Sequence, residues 1–169
     1  MEIPKFQSLT KAHNVADFDC GVPALNHWLK TIAPQHQKNG MSKTFVLVYE
    51  SRPEEVVGFF AMSLRDKVLA ADLPAAMRKR LPEAVTGYTL ARLAVSEKFK
   101  GQQHGERLLL KAMQKAYQAS KSVAGFGLFV DAKEGAASFY EKYEFVPFPD
   151  DPNTLVYPIR DMPPFPEEN

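Results

Sequence analysis

The chain of 169 residues contains a single cysteine, Cys20, and a single tryptophan, Trp28. A lone thiol forms no internal disulfide, so the core must hold the fold, and a reducing cytoplasm is the expected setting. No uncharged apolar run reaches the roughly 18–20 residues of a membrane span, so no membrane partner is expected. The segment Met1–Thr10 mixes charge into the place where a secretory leader would be continuously apolar. Internal repeats, low-complexity tracts and long linkers are missing as well. The four histidines, His13, His27, His36 and His104, do not fall at metal-ligand spacing with Cys20, which argues against a metal site. Ser-His-Asp chemistry has no supporting motif.

An excess of one charge is also missing, with 21 Lys/Arg against 20 Asp/Glu, but the distribution is lopsided. Up to Val130 there are 18 basic and 11 acidic residues; from Asp131 onward there are 3 and 9. A basic body with an acidic end suits a polyanion on one face, although proteins that bind none show similar splits. The chain is 45% hydrophobic and has 12 Phe, which excludes a disordered polymer and suits one domain. We assign that domain to residues 1–160. The tail 161–169, with Pro163, Pro164 and Pro166, continues neither a helix nor a central strand and is expected to fray.

Strand-like stretches are Thr44–Tyr49, Val56–Leu64, Tyr88–Val95 and Gly125–Val130, rich in β-branched and aromatic residues. The Pro53-Glu54-Glu55 turn predicts a hairpin between the first two. Helical stretches are Pro23–Leu29, Leu73–Arg80 behind Pro74, Gly105–Ala119 and Glu134–Tyr143. In Gly105–Ala119 the residues Leu109, Ala112, Met113 and Ala116 form one apolar stripe. Five or six strands interleaved with helices predict an α/β (α+β) domain with a mixed sheet. Trp28 and Cys20 read as packed core residues.

Two segments are candidates for chemistry. From Arg92 to Ala112 a strand enters a long helix through a loop with Gly101 and Gly105. The unpaired N–H groups and dipole of such a helix suit phosphate, and Lys98 and Lys100 add charge; an ordinary strand–loop–helix connection has the same pattern. From Phe129 to Phe145 a second strand enters a helix with Tyr140 in its middle. Tyr140 is either a core residue or a proton donor to a departing thiolate, and spacing does not decide between them.

Together the segments resemble the GNAT superfamily of acetyl-CoA-dependent N-acetyltransferases. The resemblance is carried by Arg92-Leu93-Ala94-Val95, by Gly105 followed by Leu108-Leu109-Leu110, and by Phe139-Tyr140-Glu141. It implies a GNAT-like mixed central sheet with helices on both faces. A narrower resemblance, to the toxins of type II toxin–antitoxin pairs that acetylate aminoacyl-tRNA, rests on Phe18-Asp19-Cys20-Gly21, Leu25-Asn26 and Trp28-Leu29. Thr44-Phe45 and Asp151-Pro152-Asn153-Thr154-Leu155 extend it. The resemblance implies acetyl-CoA as co-substrate and aminoacyl-tRNA as acceptor, with translation blocked as a result. It also implies a ribbon-helix-helix antitoxin and a homodimer; the aromatics Phe126, Phe129, Phe145 and Phe148 belong to an interface or, more simply, to the core.

On this resemblance the strand amides of Leu93, Ala94 and Val95 hold the thioester arm. Backbone groups of Lys100, Gly101, Gln102, Gln103, His104, Gly105 and Glu106 hold the pyrophosphate, Ala137 and Phe139 also meet the coenzyme, and Tyr140 is catalytic. The tRNA surface is assigned to Lys30, His36, Lys38, Lys43, Arg78, Lys79, Arg80 and Arg92. Three positions depart from the family pattern: Lys100 replaces Gln/Arg, and Gln103 and Glu144 replace glycines. The two lost glycines imply either a weakened coenzyme site or backbone that needs no positive φ there. A GNAT acting on a protein amine or small amine, or a GNAT-fold binding module without catalysis, are the alternatives.

Overall fold

The computed structural model describes residues 2–166; Glu167–Asn169, at the end of the expected tail, lie outside the described residues. The chain divides into two compact units, residues 1–63 with 91–112 and residues 64–90 with 113–169. Two long strands, β3 (Gly58–Leu69) and β4 (Ala84–Val95), and the long helix α3 (His104–Val123) run from one unit into the other.

In the first unit β1 (Lys5–Ser8), β2 (Lys43–Val48) and the first half of β3 are antiparallel neighbours, followed by the end of β4. The expected hairpin is the β2–β3 pair, in register from Lys43↔Met62 to Leu47↔Gly58. Side chains alternate across it as pleating requires. One face presents Val46, Val48, Phe59 and Ala61 to Trp28, Leu29 and Ala33. Trp28 stacks on Phe59 at 5.9 Å, and Phe18 meets the same ring edge-on at 5.5 Å. The other face presents Phe6, Phe45 and Phe60, with Lys111 of α3 over the Phe6 ring, so helices cover both faces.

Trp28 and Leu29 reach that core from one continuous helical run: α1 (Pro23–His27), a π-helical turn Trp28–Ile32, and α2 (Ala33–Lys38). Pro23 is accepted in the first turn, where its missing N–H costs nothing. Pro34 is not at a free start; it has no N–H for the carbonyl four residues back and its ring clashes there, and the wider turn before it relieves both.

In the second unit β4 pairs in parallel with β5 (Gly127–Asp131), and β7 (Asp151–Pro158) lies antiparallel between β5 and β6 (Val146–Phe148). Strand order is β1-β2-β3-β4-β5-β7-β6, a mixed seven-stranded sheet. Its ladder buries Phe129 and Val156 against Val68, Leu73, Met77 and Val85. The expected stripe of α3 is real: Leu109, Ala112, Met113 and Ala116 are all buried.

Several expectations change. The helix placed at Leu73–Arg80 is a single 3-10 turn, Ala75–Met77, because Pro74 sits before it in extended geometry and Arg80 adopts φ 64°. The last helix shortens to α4 (Ala137–Glu141). The described part of the tail does not fray: Met162 is buried and Phe165 packs edge-on against Tyr117 at 5.6 Å. Phe129 and Phe145 are core, with 0% and 2% exposure, and supply no interface. Cys20 is buried with its thiol 3.7 Å from the Val22 carbonyl, as a packed small residue should be.

Candidate functional site

The β4–α3 connection is built from its backbone. Ser96 closes the strand by donating to the Val57 carbonyl at 2.9 Å, and Glu97–Phe99 form a 3-10 turn. Gly101 then takes φ 81° and Gln103 φ 64° before α3 begins at His104. Arg107 donates its N–H back to the Gln103 carbonyl at 3.2 Å. The N–H groups of the preceding first turn have no carbonyl one turn earlier. A Cβ on Gly101 would meet nothing within 4 Å, so the loop backbone there is open. Open backbone before a 20-residue helix leaves N–H groups and the positive end of the helix dipole facing outward, an arrangement that favours an anion.

Gln103 settles one alternative. The position does need positive φ, and glutamine adopts it, at the roughly 1–2 kcal/mol cost of a left-handed non-glycine residue. Strain of this kind persists where neighbours over-determine the backbone. Two side chains do so at the helix end. His104 is 2% exposed; its Nδ1 accepts from Arg107 Nη1 at 3.1 Å, which leaves Nε2 protonated towards the Tyr49 hydroxyl at 3.3 Å. Burial, and then the Arg107 charge, hold its pKa below the ordinary histidine value, so the ring is neutral. Arg107 also donates to the Gln102 carbonyl at 3.0 Å.

The two lysines of the loop have protein partners. Lys98 pairs with Glu55 at 2.8 Å. Lys100 pairs with Glu97 at 2.9 Å and donates to the Cys20 carbonyl at 3.0 Å. Both ammonium groups are engaged by the protein, and the His104 ring is turned into the core. Arg107 carried no expectation, because its role depends on a carbonyl five residues back rather than on any motif. Leu93 and Val95 are half-buried on β4 and Ala94 is buried. A cavity of about 340 Å3 in the same unit is lined by Asp17, Asp19, Glu54, Glu55 and Glu97 among others, and such a surplus of carboxylates does not suit phosphate.

In the second unit, Tyr140 is 8% exposed on α4, with its ring between Phe139 at 5.1 Å and Phe145 at 5.9 Å. Burial pushes its phenol up to about 12, so the hydroxyl is protonated throughout the physiological range. Ala137 and Phe139, on the same short helix, are half-buried. Glu144 takes φ 72°, with Phe145 N–H donating to the Tyr140 carbonyl at 3.2 Å and Glu144 N–H to that of Glu141 at 3.0 Å. This is a Schellman helix end with glutamate at the glycine position. At the end of β5, Arg65 grips Asp131 through two bonds of 2.6 and 2.9 Å, holding that carboxyl below the usual range.

The expected tRNA-binding residues fall in two sets. Arg92 lies over Trp28 at 5.2 Å, and His36 meets the same indole edge-on at 6.2 Å. Lys30, Lys38 and Lys43 are exposed on the same helical run and the strand after it. Arg78, Lys79 and Arg80 are exposed in the second unit, with Arg78 Nε tied to the Leu73 carbonyl at 2.7 Å. Among the described residues no group of three or more His, Cys, Asp or Glu is placed to hold a metal ion, and no helix is long and apolar enough to cross a membrane.

Comparison with known proteins places this geometry. The family described as "Acetyltransferase (GNAT) domain" matches residues 41–147. A tRNA-acetylating toxin of Mycobacterium tuberculosis (strain ATCC 25618 / H37Rv) is 32% identical over 154 residues, 90% of each chain. AtaT complexed with acetyl-methionyl-tRNAfMet is 29% identical, with a TM-score of 0.86 over 94% of this chain and 96% of that one. A tyrosine-to-phenylalanine mutant of AtaT, bound to the C-terminus of the antitoxin AtaR and to acetyl-CoA, is 27% identical, with a TM-score of 0.77 over 93% and 94%.

Proposed function

This chain belongs to the GNAT acetyltransferase family, and on that premise we propose that it is a toxin enzyme that transfers the acetyl group of acetyl-CoA to the amino group of aminoacyl-tRNA. The single observation that carries the reading is the loop before α3. It keeps left-handed geometry at both Gly101 and Gln103, open backbone, and a helix N-terminus free to meet a diphosphate. The non-catalytic alternative rested on Gln103 and Glu144, and both residues adopt the conformation the glycines would have supplied.

Acetyl-CoA supplies an activated acetyl thioester. Backbone groups of Lys100–Glu106 hold its pyrophosphate, the β4 amides of Leu93–Val95 orient the thioester arm, and Ala137 and Phe139 flank it. Tyr140 hands its phenolic proton to the sulfur as the carbon–sulfur bond breaks. It regains one from the attacking nitrogen as the carbon–nitrogen bond forms, so acetylated amine and free thiol leave with the proton count balanced. The acceptor amine must be neutral. α-Amino groups have reference pKa values of about 7.7–8.0, and an aminoacyl ester lies lower, so no strong general base is required near pH 7.

The tRNA lies on Lys30, His36, Lys38, Lys43 and Arg92 and on Arg78, Lys79 and Arg80. AtaT has been solved with acetyl-methionyl-tRNAfMet and with its antitoxin, which supports the same two partners here. The antitoxin is a small ribbon-helix-helix protein, the setting is the cytoplasm where aminoacyl-tRNA is made and used, and a second copy of the chain covers apolar surface such as Leu64, 81% exposed. Incubating the protein with labelled acetyl-CoA and charged tRNA tests the reading directly: label is expected on the aminoacyl group, and label on added proteins or free amines alone would reject it. Light scattering after gel filtration tests the dimer.

A further inference from the structure

The turn Phe18-Asp19-Cys20-Gly21 has no place in the acetyl-transfer chemistry, yet it is tied to the β4–α3 loop at three points. Glu97 N–H donates to the Asp19 carbonyl at 2.8 Å. Lys100 Nζ donates to the Cys20 carbonyl at 3.0 Å while pairing with Glu97 at 2.9 Å. The Glu97 carboxylate rests against Gly21 where a Cβ would stand, and Gly21 holds φ 83°, so only glycine leaves it that place. The turn is itself held from α1. Asn26 Oδ1 accepts from Cys20 N–H at 2.8 Å, and Asn26 Nδ2 donates to Asp19 Oδ1 at 3.0 Å. Asp19 Oδ1 also accepts from Gly21 N–H at 2.8 Å. A continuous polar path thus runs from Asn26 through the turn to Glu97 and Lys100, immediately before Gly101 and the strained Gln103.

We propose that the Asp19–Gly21 turn and Asn26 are positioning elements for the coenzyme loop, and that the Lys100 ammonium serves this brace instead of contacting phosphate. The inference rests on the coenzyme reading of that loop. His104 and Arg107 fix the helix end; the turn fixes the strand end, and between them Gly101–Gln103 are held in an open form that is costly to form alone. A loop assembled in advance spends less binding energy on ordering itself around the ligand.

Gly21→Ala displaces the Glu97 carboxylate and strains the turn; Asn26→Ala removes two bonds, one of them to a charged acceptor. Each is expected to weaken acetyl-CoA binding by calorimetry on the order of tenfold or more. Each should leave kcat/KM with S-acetylpantetheine unchanged, because that donor lacks the diphosphate; a general loss of structure would lower it too. In the double variant with Lys100→Met, the Asn26→Ala loss should be less than additive, since both act through one brace. Unchanged acetyl-CoA affinity in both single variants, equal losses with both donors, or full additivity with Lys100→Met would each overturn the proposal. Wild-type protein that binds no acetyl-CoA would instead sink the functional reading, and this inference with it.

Discussion

Two strand–turn–helix connections in this chain are made alike, and the proposed function uses them differently. In β4–α3 the side chains of Lys98, Lys100, His104 and Arg107 are directed to protein partners, and on the proposed reading the ligand is left with N–H groups. In β5–α4 the proposed chemistry rests on one side chain, on a five-residue helix closed by a Schellman end, with Tyr140 buried among Phe139 and Phe145. A backbone site is resistant to single side-chain changes and sensitive to whatever shapes the loop. A side-chain site is lost with one atom. That difference orders the tests.

The largest effect belongs to Tyr140→Phe, which removes the proton donor and leaves the ring in its pocket. Turnover is expected to fall about 100- to 10,000-fold, with acetyl-CoA affinity and melting temperature near wild type. Normal turnover would make Tyr140 only the core residue that its stripe position equally allows. Because its phenol sits at about 12, the wild-type rate should rise with pH as the acceptor amine loses its proton, and show no falling limb from this residue up to pH 9. A falling limb below that pH that disappears in Tyr140→Phe would contradict the burial argument.

Next in size is the tRNA contact, a surface property outside both connections. Changing Arg78, Lys79 and Arg80 together to Ala should raise KM for aminoacyl-tRNA at low salt. It should also flatten the salt dependence of binding by about 2 in log–log slope, given some 0.7–0.9 per phosphate contact. Acetyl-CoA affinity should not move. An unchanged salt slope would remove these three residues from the surface.

A smaller effect distinguishes the first connection from the second through His104. Its folded-state pKa is lowered, by burial first and by Arg107 second, so the unfolded chain binds the proton more readily. Its contribution to stability is therefore fully present above the unfolded value of about 6.5 and is lost as pH falls below it. Melting curves between pH 7.5 and pH 5 should show this loss, and His104→Gln should shrink it. Acetyl-CoA binding should hold where that loss begins and weaken only at lower pH, below the lowered folded-state value, where protonation of the ring disturbs the Tyr49 and Arg107 contacts. A tyrosine-based site has no counterpart to this response.

How much of this was legible beforehand follows from the range of the forces. β2, β3, the end of β4 and α3 declare themselves because burial imposes period-two or 3.6-residue patterns on Thr44–Tyr49 or Leu109–Ala116. β1 does not: Lys5–Ser8 is an edge strand, mostly exposed, and no alternation is selected there. β7 opens with Asp151-Pro152, which reads as a turn, and its strand character comes only from pairing with β5. The two strand–loop–helix connections that carry Gly101–Gln103 and Tyr140 were readable from motif order. The direction of the loop's charges was not, since Lys98 finds its carboxylate 43 residues away and Lys100, besides Glu97 three residues before it, reaches a carbonyl 80 residues away.

The finest test restores glycine at each connection in turn. Glu144 is the left-handed residue of a helix end, and nothing in the proposed chemistry depends on its side chain. Glu144→Gly should therefore stabilise the fold by about 1 kcal/mol and leave kinetics and acetyl-CoA affinity alone. Gln103→Gly releases comparable strain, but at an exposed residue immediately before the first amides of α3. There the gain should appear in binding too, as a few-fold tighter acetyl-CoA dissociation constant by calorimetry, because the diphosphate can approach the backbone more closely. If the two variants behave alike, with stability raised and affinity untouched in both, the turn before α3 is no more than a connection. The contrast between a backbone site and a side-chain site then fails at its first member.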